Sequence, residues 1–168
     1  MNDKTRSRIY VGIQFALLLA LIIYPDDATG WASQNKLFEV AGTVLVLIGF
    51  AIEFASGRAL GRSLTPSPIP RDSSELVTSG IYKYLRHPIY TGLMVFGLGA
   101  TLQSGPTPHV WFLVALVILL NIKARWEERM LLARYPEYKA YMSSTPRFLP
   151  RLKAVSYTHL TLPTTSRV

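Results

Sequence analysis

The sequence predicts an all-α integral membrane protein, a bundle of about four transmembrane helices with a cytoplasmic C-terminal helical arm. Charged residues are absent from Ile9 to Pro25, from Val40 to Ile52 and from His87 to Ile122. In a chain of 168 residues, three such stretches favour a single membrane domain, here residues 1–154, over two globular units. The chain has no cysteine, and its three histidines are scattered, so we expect neither disulfides nor a metal site.

Each span is predicted from an apolar run. A bilayer core of about 30 Å needs about 20 mostly apolar helical residues, and the first two spans are expected over residues 10–24 and 37–54. A turn containing glycine and proline at 103–108 divides the long uncharged stretch after His87. This division gives two shorter spans, over 88–102 and 110–122, which should extend into their polar flanks.

The distribution of basic residues predicts the orientation. Lysines and arginines precede span one, fill the 57–86 loop and follow span four, whereas the other two connections hold only Lys36. Because basic loops stay in the cytoplasm, we expect both termini and the 57–86 loop there, in a bacterial inner membrane. The net charge of +8 then needs no nucleic-acid partner, and the lipid bilayer is the expected one. Oligomeric state stays open.

A cleaved signal peptide is disfavoured, because Pro25-Asp26-Asp27 follows the first apolar run directly and no small-x-small cleavage site is present.

The loop before span three carries several signals. The segment 65–70 is punctuated by prolines and cannot be helical. Ser79-Gly80 can turn the chain, and Pro88 suits the first turn of a helix. His87 would then lie at a cytoplasmic helix N-terminus with Tyr90 one turn further in. Free N–H groups and the helix dipole there would favour an anion.

After span four, the helical pattern continues over 125–135, stops at Pro136 and resumes over 137–142, before Pro146. Its aromatic and basic residues suit a membrane interface or a lid over the bundle.

Several residues of the spans and loops also have simpler, structural interpretations. Glu53 could reach the site, but it is expected rather to extend to the membrane surface, and the role of Glu39 stays open. The glycines 92, 97 and 99 are expected to be helix-packing positions. The following aromatic residues could be ordinary interface anchors: Tyr82, Tyr84, Trp126, Tyr138 and Tyr141.

Four segments together resemble one enzyme family. They are LVTSGIY at 76–82, RHPIYTG at 86–92, the pair Glu127-Glu128, and Tyr138-x-x-Tyr141-x-x-x-x-Pro-Arg at 138–147. This combination resembles the isoprenylcysteine carboxyl methyltransferases, which are related to the membrane phospholipid methyltransferases. Those enzymes are integral membrane proteins that use S-adenosylmethionine. The resemblance covers residues 36–153.

The resemblance implies roles for individual residues. A basic residue one turn before Glu127 would act on the methyl acceptor, and this is Lys123, with Arg125 as a second candidate. The family more often has arginine there, and Tyr135-Pro136 stands where it commonly has Phe-Gly. The residues that would line the cofactor are Ser74, Glu75, Leu76, Val77, Tyr82, His87, Pro88, Ile89, Tyr90 and Glu127.

The expected function is therefore methyl transfer from S-adenosylmethionine to a lipophilic acceptor, most simply a carboxylate, as in isoprenylcysteine O-methylation. Such a transfer needs no metal, because the sulfonium donor is already activated. N-methylation of an aminophospholipid is the alternative within the same family. A non-catalytic membrane scaffold is the alternative from another class. Nothing in the spans identifies the acceptor.

The last fourteen residues, 155–168, depart from the rest of the chain. They contain no acidic residue and show no helical periodicity. They resemble translated adapter DNA joined to a gene, and we expect them to be non-native and disordered. The true C-terminus would then lie near or beyond Ala154.

Overall fold

The computed structural model describes residues 2–25, 35–65, 67, 69, 75–104 and 108–150. Within them every regular element is a helix, which confirms the predicted all-α class. Ser74 and the tail 155–168 lie outside the described residues. The described residues form five α-helices, α1 to α5, and two short 3₁₀ turns, in this chain order: α1 Asp3–Ile23, α2 Lys36–Leu60, 3₁₀ turns at Gly61–Ser63 and Gly80–Lys83, α3 Pro88–Ser104, α4 His109–Arg134 and α5 Tyr138–Ser144.

Three of these helices, α1, α2 and α4, are long and apolar enough to cross a membrane, by length and composition. In α2, only 11% of the most apolar segment of 18 residues is buried inside the protein. Most of this segment is therefore available to lipid. Helix α3 has 17 residues, or about 26 Å at the helical rise, and its assignment as a span stays a prediction.

Local sequence signals explain where several of the helices begin and end. Asn35 begins α2, and its side chain accepts a hydrogen bond from Leu37 N at 2.9 Å. Pro88 is the first residue of α3, and α4 ends two residues before Pro136. Gly80 has a φ of +60°, which glycine adopts without strain. The predicted turn at Ser79-Gly80 is confirmed.

Glycines bring α2 and α3 into close contact. Gly42 and Gly49 of α2 face Gly99 and Gly92 of α3, and the two glycines on each helix are seven positions apart. A Cβ atom placed on Gly49 would lie 2.8 Å from Phe96 N. Real Cβ atoms do not come this close to a backbone atom of another helix. The helix-packing interpretation of Gly92, Gly97 and Gly99 is confirmed, because a Cβ atom on any of them would lie within 3.0 Å of a neighbouring helix. Small residues of this kind let two helices associate through backbone contact.

A Gly99→Ala substitution should therefore destabilise the bundle. The new Cβ would lie 2.7 Å from both Gly42 O and Val46 N, so α2 would have to shift away, at a cost of about 1–3 kcal/mol. Thermal unfolding of the detergent-solubilised protein would measure this loss. Gly12→Ala is the matched control, because a Cβ on Gly12 meets nothing within 4 Å. Equal melting temperatures for the two variants would contradict the close packing.

Helix α4 packs against α1 and α3 and completes the bundle. The core residues are Leu21, Tyr90, Ala100, Leu116, Leu120 and Ala124. At the end where basic residues gather, the Arg6 guanidinium lies 5.3 Å from the Tyr10 ring and 4.8 Å from the Trp126 ring. Ser7 Oγ is 2.8 Å from Ser67 Oγ. These contacts join the start of α1 to α4 and to the loop after α2.

The prediction that Glu53 extends to the membrane surface is wrong. Its Oε1 is buried, has no hydrogen-bond partner among the described residues, and lies 2.7 Å from the position of a Cβ on Gly92. The missing side chain of Gly92 leaves the space that the carboxyl group fills in the α2–α3 interface. Glu39, in contrast, is exposed at the start of α2, 3.7 Å from the Lys36 ammonium.

Candidate functional site

A pocket with an empty volume of about 920 Å³, including its open mouth, lies at the end of the bundle where the basic loops meet. Nine of its wall residues were predicted from the sequence: Glu75, Leu76, Val77, Tyr82, His87, Ile89, Tyr90, Lys123 and Glu127. Other wall residues include Gln14, Leu60, Ser63, Arg86, Leu131, Tyr135, Tyr138 and Tyr141.

Two predicted residues do not border the pocket. Pro88 is buried at the start of α3, where it shapes the helix end. Arg125 is exposed on the other side of α4, beside a shallow depression that Arg129 and Arg147 also line. The structure therefore brings Lys123, and not Arg125, to the pocket.

Beside Glu75, Glu127 brings a second carboxylate to the pocket, and two residues of the RHPIYTG segment hold it. Tyr90 donates its hydroxyl hydrogen to Glu127 Oε2 at 2.9 Å, and His87 Nδ1 lies 3.6 Å from the same oxygen. The His87 and Tyr90 rings stack at 5.3 Å with 4° between their planes. Glu127 keeps 27% of its side chain exposed, so this anchored carboxylate remains accessible to a ligand.

The adjacent Glu128 has different surroundings, because its side chain is only 6% exposed. Arg86 donates to its Oε1 from Nε at 3.1 Å and from Nη2 at 2.9 Å. Arg147 donates from Nε at 3.0 Å and also from Nη2, and His87 Nε2 lies 3.3 Å away. Glu128 is thus a buried counter-charge rather than a ligand-binding group, and its hydrogen bonds raise the pKa of Arg147.

These contacts fix the C-terminal segment 145–148 against the start of α3. Arg86 N donates to Pro146 O at 2.9 Å and His87 N donates to Arg147 O at 3.1 Å. Thr91 Oγ1 donates to Phe148 O at 3.0 Å. Two amides before α3, those of Arg86 and His87, are therefore bonded to this segment, and the expected anion site at the helix end stays a prediction.

Helix α5 closes one side of the pocket with tyrosines. Tyr141 donates its hydroxyl hydrogen to Tyr82 O at 2.5 Å, and burial raises the pKa of Tyr141 to about 12. Burial also raises the pKa values of Tyr82 and Tyr138 above their usual range, so all three hydroxyls stay protonated. The Tyr138 hydroxyl has no hydrogen-bond partner in the part of the chain that the structure describes. Of the five possible interface anchors, Tyr84 alone is largely exposed.

Lys123 lies one helical turn before Glu127 and has no exposed surface, although it borders the pocket. Its ammonium donates to Gln14 Oε1 of α1 and lies 5.2 Å from the centre of the Tyr90 ring. Sequence reasoning missed Gln14. The signal was present, since a polar residue inside an apolar span is a candidate functional residue. Among the described residues no group of three or more His, Cys, Asp or Glu could hold a metal ion.

Comparison with known proteins identifies relatives of this chain. The family model described as phospholipid methyltransferase matches residues 37–138, more than half of the chain. The matched region includes all predicted site residues.

Several curated proteins are similar to parts of the chain. The cobalt-zinc-cadmium resistance protein CzcN of Cupriavidus metallidurans is 39% identical over 84 residues, which are 49% of this chain and 38% of that protein. The protein-S-isoprenylcysteine O-methyltransferase of Saccharomyces cerevisiae is 29% identical over 136 residues, which cover 74% of this chain and 57% of that protein. A protein of Oryza sativa subsp. indica, named probable protein-S-isoprenylcysteine O-methyltransferase, is 28% identical over 154 residues. These residues cover 86% of this chain and 77% of that protein. The chain thus spans well under two thirds of the CzcN protein and of the yeast protein.

Proposed function

The chain belongs to the phospholipid methyltransferase family, and on this premise we propose that it is a membrane methyltransferase. S-adenosylmethionine is the proposed donor, and the carboxylate of a lipophilic molecule is the proposed acceptor. One observation carries the proposal. A pocket-facing carboxylate, Glu127, and a buried cation, Lys123, lie one helical turn apart in the same pocket. The relatives named as isoprenylcysteine O-methyltransferases support a carboxylate acceptor.

The pocket residues fit the proposed donor, which carries a positive sulfonium, an amine, ribose hydroxyls and an adenine. The accessible Glu127 carboxylate can accept hydrogen bonds from the amine or the ribose. The Tyr82 and Tyr90 rings offer π-faces that suit the sulfonium or the adenine. The unpartnered Tyr138 hydroxyl supplies a further donor at the wall.

The main task of the protein in this reaction is to align the methyl donor with the acceptor. S-adenosylmethionine, when bound, supplies a methyl group whose C–S bond breaks as a carboxylate oxygen forms the new C–O bond, leaving a neutral thioether and a methyl ester. Holding the two reactants in line can lower the barrier by several kcal/mol, roughly 7 or more in favourable cases. Lys123 would orient the acceptor's carboxylate as a point charge, without the two-pronged grip of arginine. Its flexible stem allows the small movement that contact with an acceptor requires.

A lipophilic acceptor agrees with the position of the pocket. Its wall includes Gln14, which lies within the charge-free stretch of α1. The pocket therefore extends from the basic end of the bundle to an apolar helix. An acceptor with a charged head and an apolar tail would match both ends.

Calorimetric titration of the detergent-purified protein with S-adenosylmethionine tests the proposal. We expect saturable binding. No binding by well-folded protein would favour the membrane scaffold instead. With the radiolabelled donor, N-acetyl-S-farnesylcysteine should yield a base-labile methyl ester. Base-stable label on phosphatidylethanolamine, and none on the acid, would favour the N-methylation alternative, which the family's description supports.

The pocket should face the cytoplasm of a bacterial inner membrane, with both termini on that side. Because the chain has no cysteine, a maleimide would label only the cysteine that is introduced. In spheroplasts of an expressing bacterium, a membrane-impermeant maleimide should label Lys36→Cys and spare Glu137→Cys until the cells are lysed. Both positions are exposed. The reverse pattern would show the opposite orientation.

A further inference from the structure

The shallow depression on the side of α4 away from the pocket is rich in arginine. Its empty volume is about 640 Å³, including its open mouth. Three of its six lining residues are arginines, Arg125 and Arg129 of α4 and Arg147 of the C-terminal segment. Because Arg125 and Arg129 are four residues apart, they are neighbours on one face of the helix. The one acidic residue of the depression is Glu128.

The positive charge of this depression exceeds what Glu128 can balance. The Glu128 carboxylate is bonded to the guanidinium groups of both Arg86 and Arg147, and its side chain is only 6% exposed. Within the described part of the chain, neither Arg125 nor Arg129 forms an ion pair with a carboxylate. Four guanidinium groups thus surround one carboxylate. Like charges one helical turn apart repel each other, so an anion bound between Arg125 and Arg129 would relieve that repulsion.

The position of the depression along α4 corresponds to the membrane surface. The apolar run of the last predicted span ends at Ile122. At the helical rise, Arg125 and Arg129 lie about 5 Å and about 10 Å beyond that residue. The headgroup layer of one leaflet is about 5–7 Å thick. Arg129 Nε donates to Arg125 O, one turn nearer the span, at 3.3 Å. Both guanidinium groups can therefore reach the phosphates of the headgroup layer.

The phosphate of an anionic phospholipid suits this group of arginines. A guanidinium group presents a planar fork of donors that matches two phosphate oxygens. The acyl chains hold the phosphate of a lipid at the height of the depression, which raises its effective concentration there. A zwitterionic lipid would bring a cationic group as well, and the arginines would repel it.

We propose that the depression lined by Arg125, Arg129 and Arg147 binds the phosphate of an anionic phospholipid from the leaflet around the basic end of the bundle. This site lies outside the pocket, and its existence does not depend on the proposed methyl transfer. Arg147 connects the lipid to the C-terminal segment, because its Nε also donates to Glu128 Oε1 at 3.0 Å. Bound lipid should therefore stabilise the folded protein.

Thermal unfolding of the full-length protein in dodecylmaltoside micelles tests this assignment. The probes are dioctanoyl phosphatidylglycerol and dioctanoyl phosphatidylcholine, which have the same acyl chains and differ in net charge. A ligand that binds the folded state raises the melting temperature. We expect phosphatidylglycerol to produce a given rise at a concentration at least about tenfold lower than phosphatidylcholine.

Two double variants locate the site. Arg125→Gln with Arg129→Gln removes both α4 charges from the depression and should need at least about tenfold more phosphatidylglycerol for the same rise. Arg8→Gln with Arg58→Gln is the matched control, because it removes two exposed arginines that do not line the depression. This control should respond to the lipid as the wild type does. All four side chains are exposed, so both variants should unfold near the wild-type temperature without lipid.

Three results would overturn the proposal. Equal responses of the wild type and the Arg125→Gln, Arg129→Gln variant to phosphatidylglycerol would show that the lipid binds elsewhere. Equal responses of the wild type to the two lipids would show that the headgroup charge is not recognised. Glycerol phosphate carries the same phosphate without acyl chains. If it stabilised the wild type at the concentration that suffices for the lipid, the depression would be a site for a soluble phosphate ester.

Discussion

Replacing Glu127 with alanine is expected to abolish S-adenosylmethionine binding while the bundle remains folded and inserted in the membrane. Glu127 is a pocket carboxylate that stays accessible, and Tyr90 and His87 hold it in place. Hydrogen bonds to a charged group contribute about 1.5–3 kcal/mol each. The loss of two such bonds to the donor corresponds to an affinity at least about a hundredfold lower.

Titration calorimetry beside the wild type measures this loss. Glu39→Ala is the matched control, because it removes the same side chain from an exposed position at the start of α2 and should bind the donor normally. Tyr90→Phe should give an intermediate loss, since Glu127 would keep its charge but lose the 2.9 Å hydrogen bond that orients it. Normal affinity in Glu127→Ala would refute the assignment of this carboxylate.

The sequence was sufficient to predict the helices, because their limits are local. Apolar runs fix where a helix can cross a bilayer, and Pro88 and Pro136 mark a start and a stop through their missing N–H groups. Helix α4 continues past the predicted span to Arg134, as the helical pattern over 125–135 predicts. That extension is stabilised by contacts with segments distant in sequence, such as Arg86 on Glu128.

Helical geometry explains which site residues were predictable. A helix turns about 100° per residue, so Lys123 and Glu127, four residues apart, return to one face. Arg125 is rotated by about 200° from Lys123, and the structure places it away from the pocket. This rotation could have separated the two candidates from the sequence alone.

Contacts between residues far apart in the sequence could not be predicted. Gln14 meets Lys123 across 109 positions of sequence, and Tyr141 meets Tyr82 across 59. Glu53 was misjudged because its surroundings depend on a glycine of the facing helix, Gly92. Long-range contacts of this kind depend on how the helices pack, and periodicity within one helix does not determine them.

Replacing Glu128 with glutamine should release the C-terminal segment from the bundle. The change keeps the size of the side chain but removes the negative charge between Arg86 and Arg147. The Arg86 side chain is only 9% exposed, so its charge would remain buried without a counter-ion. Breaking a buried ion pair from one side costs about 3–5 kcal/mol, which is a large part of the stability of a small domain.

Limited trypsin digestion would detect the release. We expect cleavage at Lys139 and Arg147 to become much faster in Glu128→Gln than in the wild type, with a lower melting temperature. Glu137→Gln is the control, because Glu137 is exposed just before α5 and should leave the digestion pattern unchanged. Unchanged protection in Glu128→Gln would show that the backbone hydrogen bonds of 145–148 hold the segment without the ion pairs.

A second substitution distinguishes charge from packing as the cause. In Glu128→Gln with Arg86→Met, the uncompensated guanidinium is gone, and part of the lost stability should return. Binding of S-adenosylmethionine should not recover with it, because Arg86 also donates to the carbonyls of Met142 and Thr145 and so holds the arm that carries Tyr138 and Tyr141 against the pocket. Recovery of stability without recovery of binding would show that Glu128 serves the site by fixing this arm, whereas Glu127, its neighbour in sequence, faces the ligand.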